Sequence, residues 1–160
     1  MTRGKECALD HWKDGQMSVS SHLSTAVHAL CWLELAARRG RTKLTSAEIA
    51  SSLASNPVQV RRELAPLRHA GLVQVVGRGP GGGWALGRPA EMITLKQVSD
   101  AIGEERPFAL HPHAPNPECP VGAGIRPVLG DVYDDVQAAI ARELDGRTVA
   151  DVLDRILKPS

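Results

Sequence analysis

Apolar positions fall into blocks of different period, and the blocks predict mostly helices with one small hairpin. Residues 1–16 are polar and aperiodic and read as a flexible extension, with Met17 as an alternative start. Leu23, Ala26, Val27, Leu30, Trp32, Leu33 and Leu35 then mark a first helix to about Arg39, apolar on most sides and so mostly buried. Gly40-Arg41-Thr42-Lys43 reads as a basic loop. Thr45-Ser46-Ala47-Glu48 has the form of a capping box, in which hydroxyl and carboxylate each satisfy a backbone N–H. Ile49, Ala50 and Leu53 carry that helix forward. Asn56 then caps a new one, and Pro57 at its first position loses no useful donor. Val60, Leu64 and Leu67 sit at i, i+4 and i+7 and share a buried face; Gly71 suits the left-handed residue that ends a helix.

The period then shortens. Leu72-Val73-Gln74-Val75-Val76 is short, β-branched and glycine-bounded, as a strand should be. Gly77-Arg78-Gly79-Pro80-Gly81-Gly82-Gly83 allows a sharp reversal, and Trp84-Ala85-Leu86 returns as the second strand. Leu95, Val98 and Ile102 make a short amphipathic helix, with Thr94 near its start and Gly103 at its end. From Glu104 to Pro120, five prolines forbid a helix through most of the segment. Ile125, Leu129, Val132, Val136, Ala139 and Glu143 then step by three or four, only the last of them charged, with Val128 and Ile140 widening the stripe. A long helix with such a seam wants a partner. Thr148, Val149, Val152, Leu153 and Ile156 make a last short helix.

Helix, tight turn, helix and glycine hairpin in that order predict a fold that is mainly α with a small β wing. The expected fold is a winged helix-turn-helix over residues 17–103, a proline-rich loop over 104–120, and a dimerisation helix with a C-terminal helix over 121–160. Such a unit places its second motif helix in the DNA major groove while the wing reaches the backbone. Gln59, Arg61 and Arg62, near the start of that helix, are the candidates for bases, since arginine pairs bidentately with guanine and glutamine with adenine. Lys43, Arg68, Arg78 and Arg88 are the candidates for phosphate, and Asn56 joins the DNA-facing set as the cap. Ile125, Leu129, Val132, Val136 and Ile140 are the candidate dimer interface.

Several stretches together resemble the Rrf2 family of transcriptional regulators. They are Asn56-Pro57-Val58-Gln59-Val60-Arg61-Arg62, Ala70-Gly71-Leu72-Val73, Gly81 through Pro89, and Ile93-Thr94-Leu95, with Phe108 through Gly122 similar to one branch. The resemblance covers roughly Ser20 to Leu157. It implies a cytoplasmic bacterial homodimer that binds a palindromic operator, often as a repressor. Many relatives also hold an iron–sulfur cluster on three closely spaced cysteines before the long helix. This chain has Cys119 alone there.

The net charge of +1 hides a division. Residues 17–100 carry ten Lys/Arg against five Asp/Glu, and residues 101–160 carry six against ten, which suits a DNA reader followed by a part that avoids DNA. No apolar run is long enough for a membrane helix, the N-terminus lacks the apolar core of a secretory signal, and three scattered cysteines form no disulfide framework, so the cytoplasm is expected. Gly77–Gly83 lacks the Lys-Ser/Thr of a phosphate-binding loop, and no catalytic constellation is visible, so an enzyme is not expected.

Cys31 lies among apolar helix residues and reads as core, and Cys7 lies in the extension. Cys119 keeps three readings: no chemical role, a redox-responsive thiol, or a mixed metal site with His28, His111 or His113. No cofactor is expected on the leading reading, with an iron–sulfur cluster or metal as the alternative. The leading function is a homodimeric DNA-binding regulator with double-stranded DNA as partner, no membrane, and an inducer the residues do not name. The alternative is a winged-helix protein-interaction module or a metal-sensing subunit.

Overall fold

Three threonines punctuate the fold. Each of Thr45, Thr94 and Thr148 caps a helix through its hydroxyl, while the side chain three residues on (Glu48, Gln97 or Asp151) reaches back to the cap's own N–H. The computed structural model describes residues 21–103 and 106–158; the expected extension, Met17 and Cys7 lie outside them. The elements are α1 (His22–Arg38), α2 (Ser46–Ser52), α3 (Pro57–His69), β1 (Val73–Val76), β2 (Gly83–Leu86), α4 (Leu95–Ile102), α5 (Pro120–Asp145) and α6 (Val149–Leu157). The strands pair antiparallel, Val73 opposite Leu86 and Val76 opposite Gly83. Leu44 adds a one-residue third position by exchanging both backbone hydrogen bonds with Trp84 at 2.7 and 2.9 Å.

The helix-turn-helix forms where the sequence places it. Asn56 Oδ1 accepts from the N–H groups of Val58 and Gln59, and Pro57 occupies the first turn. Val60, Leu64 and Leu67 are buried. Gly71, at φ +70°, turns the chain out of α3. The turn between α2 and α3 carries a feature no residue type announces: Ala54 is left-handed, at φ +50°. An alanine there costs something relative to glycine, and the turn is held by Ser55 N–H donating to the Ala50 carbonyl at 2.9 Å.

One core joins most elements. Ala26, Leu30 and Leu33 of α1 meet Leu44, Ile49, Val60, Leu64, Leu67, Leu72, Ile93 and Val98. It also contains Val149, Ala150 and Leu153 of α6. The last helix, expected in one segment with α5, returns to pack on α1, because its apolar face has a ready surface there. The return is pinned by Val149 N–H on the Ile93 carbonyl (2.9 Å) and Leu95 N–H on the Arg147 carbonyl (2.8 Å).

The long helix behaves otherwise: none of the 26 residues of α5 is buried within the chain. One flank is covered by its own preceding loop, through Arg106–Asp134 (2.7 Å), Phe108 packed on Tyr133 (ring centres 5.4 Å apart) and Arg126 donating to the His111 carbonyl (3.3 Å). Another flank meets α4. Val121, Val128 and Val132 remain 69, 60 and 48% exposed. With Ile125 and Val136, which are half-buried, they advance by three or four residues and so form one stripe. Leu129 lies to one side of it, half-buried.

Candidate nucleic-acid interface

Helix α3 turns three faces to three environments. Its buried face is the Val60, Leu64 and Leu67 stripe. At 100° per residue, the directly opposite face carries Val58, Arg62, Ala65 and His69. Arg61 and Arg68 lie between that face and the wing. A groove of about 730 Å3 runs there, bounded by Arg61, Arg68 and His69 on α3, by Ser46 and Ala47 at the start of α2, and by Arg78 on the wing.

Arg61, Arg62, Arg68 and Arg78 are exposed, and none has an acidic partner among the described residues. Three uncompensated guanidinium groups, Arg61, Arg68 and Arg78, line one concave face, and with Arg62 on the outward face of α3 they create a local positive field stronger than the net charge suggests. The geometry suits a polyanion whose phosphates flank a readable groove.

The remaining expected contacts are placed differently. Gln59 is half-buried, and its amide donates to Glu63 Oε1 at 2.6 Å. Glu63 Oε2 in turn meets His22 Nδ1 at 3.0 Å. Gln59 therefore faces the flank away from the wing, beside a smaller pocket of about 240 Å3 that Arg62 and Pro66 also border. Gln59 was expected among the base readers, and in this structure i+4 spacing gives it Glu63 as a partner within its own helix. Lys43 donates from Nζ to the Gly81 carbonyl, so it ties down the wing turn. Arg88 donates to the Ala70 carbonyl at 3.1 Å and closes the C-terminal end of α3. Both were expected on phosphate, and both are engaged in holding the reading elements in place. Asn56 spends its side chain on the cap.

The tryptophan of β2 links wing to motif, its indole N–H donating to Ser46 Oγ at 3.0 Å. Next door, the capping carboxylate Glu48 accepts from Thr45 N–H (2.8 Å) and from Arg41 (2.7 Å). The Thr45 backbone N–H first, then Arg41, hold its pKa down to about 2.

The cysteines separate cleanly. Cys31 is buried, its thiol 3.8 Å from the Val149 carbonyl; burial first, then Glu34, pushes its pKa up to about 11. It is core, as expected. Cys119 is exposed at the N-cap of α5, and its side chain makes no cap hydrogen bond. His28 meets Ser52 Oγ at 3.0 Å, far along the chain from the loop that carries His111 and His113. Among the described residues, no three His, Cys, Asp or Glu side chains are grouped to hold a metal ion. Nor is there a helix long and apolar enough to cross a membrane.

Val58 was overlooked by sequence reasoning. It lies on the outward face of α3 and is 59% exposed. The helical wheel already places it opposite Val60, Leu64 and Leu67, but a valine draws attention as core rather than as contact.

A family model described as "Rrf2: Iron-dependent Transcriptional regulator" matches residues 19–155. The HTH-type transcriptional regulator YwnA of Bacillus subtilis is 32% identical over 139 residues, 86% of this chain and 98% of the relative. The HTH-type transcriptional regulator IscR of Cereibacter sphaeroides is 29% identical, over 89% of this chain and 91% of the relative. The solved structure of T. potens IscR superposes with a TM-score of 0.65 at 22% identity, covering 90% of this chain and 93% of that one. The family description names iron, but the donor set described above does not fit it. A standard iron–sulfur cluster takes four thiolates, and Cys119 is the lone cysteine of its loop.

Proposed function

The chain belongs to the Rrf2 family of DNA-binding transcriptional regulators, and we propose that it works as a homodimeric repressor on a palindromic operator. The observation that carries this reading is the pairing of two surfaces. One is the arginine-lined groove between α3 and the wing; the other is the stripe on α5 that its own chain leaves uncovered. A second copy covers that stripe, and the twofold axis so created presents two α3 helices to half-sites about 34–36 Å apart. Arg61 and Arg62 read base edges. Arg68 and Arg78 neutralise phosphates, while Lys43 and Arg88 hold the wing and the end of α3. Repression follows if the bound dimer occludes the promoter, and a reader of chromosomal DNA works in the cytoplasm.

Cys119 is the proposed point of regulation. It is exposed, and it stands at the N-terminus of the dimer helix, where a change in size or charge bears on how the two protomers meet.

The test is a titration of the full chain against a selected operator and a random duplex of equal length. Arg61→Ala and Arg62→Ala are expected to lose ~1–3 kcal/mol on the operator and little on random DNA. If both variants bind the operator like wild type, α3 does not read it.

A further inference from the structure

We infer that Val58 is a specificity-determining residue, which reads the C5-methyl group of a thymine in each half-site. The inference rests on α3 being the helix that enters the major groove.

Val58 is the second residue of α3, in the first turn after the Asn56 cap. Helix-turn-helix readers make their base contacts from the N-terminal part of the second helix. Within that turn, Val60 is buried and Gln59 is drawn aside to Glu63. Pro57 borders the groove toward the wing. The outward centre of the first turn is thus the Val58 isopropyl group, 59% exposed and belonging to no intrachain cluster of the core. Arg61 and Arg62 follow one turn later at i+3 and i+4, on either side of it.

A β-branched side chain in water at the start of a helix gains nothing from packing, and its helix propensity is below that of alanine. A phosphate or sugar offers it no distinctive partner. In the major groove each base edge offers hydrogen-bond donors or acceptors, and the single apolar group among them is the thymine methyl. An isopropyl group flanked by two unpaired guanidinium groups therefore selects a thymine beside the guanines that the arginines read.

The experiment uses the full chain and an operator selected by wild type from a random duplex library. Each thymine of the half-site is replaced in turn by deoxyuridine, which removes only the 5-methyl group. Wild type is expected to lose about three- to fivefold in affinity at one thymine per half-site, the worth of one buried methyl group. Val58→Ser, which changes both protomers, is expected to bind the parent operator more weakly by about the square of the loss from one half-site and to be indifferent to that substitution. Its affinity for random duplex and its thermal unfolding stay at wild-type values. Indifference of wild type to deoxyuridine at every thymine overturns the inference, as does an equal penalty in wild type and Val58→Ser. In either case the arginine variants still report whether α3 reads the operator. If no duplex is enriched and the arginine variants change nothing, the groove assignment of α3 itself falls, and the inference with it.

Discussion

The exposed stripe on α5 gives the sharpest quantitative test, and Val132→Asp is the perturbation of choice. Val132 is 48% exposed within one chain, so an aspartate there remains half in water in an isolated protomer. A surface change of this kind shifts folding stability by about 0.5 kcal/mol or less. In a twofold dimer the same side chain is enclosed between two apolar helices, and the substitution occurs twice. An uncompensated carboxylate costs several kcal/mol to bury. Taking about 3 kcal/mol for each, the interface loses about 6 kcal/mol, or roughly four orders of magnitude in dissociation constant. Sedimentation velocity from micromolar to nanomolar protein is expected to show a dimeric wild type and a monomeric Val132→Asp with nearly the same melting temperature. Operator binding should be lost with the dimer, because one α3 alone meets one half-site. A wild type that is monomeric at micromolar concentration refutes the reasoning, and so does a Val132→Asp that stays dimeric. Leu129→Asp should also break the dimer, but with a larger loss of folding stability, since Leu129 is already half-buried in its own chain.

Arg78 and Arg88 should part company. Arg78→Ala is expected to weaken binding to every duplex and to flatten the salt dependence by about one unit of slope, at unchanged stability. Arg88→Ala, which removes the hydrogen bond to Ala70, is expected to cost ~1 kcal/mol of folding free energy, read by chemical denaturation. Glu48 gives a pH test: its folded pKa is depressed from 4.5 to about 2, so its contribution is complete above about pH 4.5 and is lost as pH falls toward 2. Thermal unfolding should therefore show a shallower acid decline in Glu48→Gln than in wild type; parallel declines would remove Glu48 from the account. For Cys119, mild peroxide is expected to weaken operator binding, as the thiolate sulfur attacks one peroxide oxygen, hydroxide leaves and a sulfenic acid remains. A reductant should restore binding, and Cys119→Ser should not respond; an equal response in both proteins would exclude Cys119 as the switch.

What the sequence disclosed was local. Thr45 with Glu48, Asn56 with Pro57, and Gly71 act over three or four residues, so their residue types suffice to mark helix ends. What it concealed depends on distant partners. Gln59 has the chemistry of an adenine reader; its partner Glu63 lies only four residues on, and what the fold adds is His22 behind that glutamate, 41 residues away from it. Arg88 and Lys43 have the charge of phosphate contacts, yet carbonyls 18 and 38 residues away claim them. Basic composition identifies an interface; it does not distinguish the cation that touches DNA from the one that shapes the surface doing so.

The last helix is coupled to α3 through α4 and α5. α5 and α3 are bridged by α4, which packs against both. The junction at the far end of α5 is fixed. Thr94, the cap of α4, donates from its hydroxyl to Asp145 at 3.1 Å, and Leu95 N–H holds the Arg147 carbonyl at 2.8 Å. Beyond that junction α6 is locked into the core by Val149 and Leu153. In the proposed dimer, a shift of α5 at the twofold axis therefore cannot be absorbed by a loose C-terminal tail. It bears on α4, whose neighbour is α3. Packed elements of this kind move as discrete units rather than deforming continuously. On the proposed reading, a modification at the N-terminus of α5 needs to change only the angle at which two such helices cross to move the paired α3 helices off their half-site spacing.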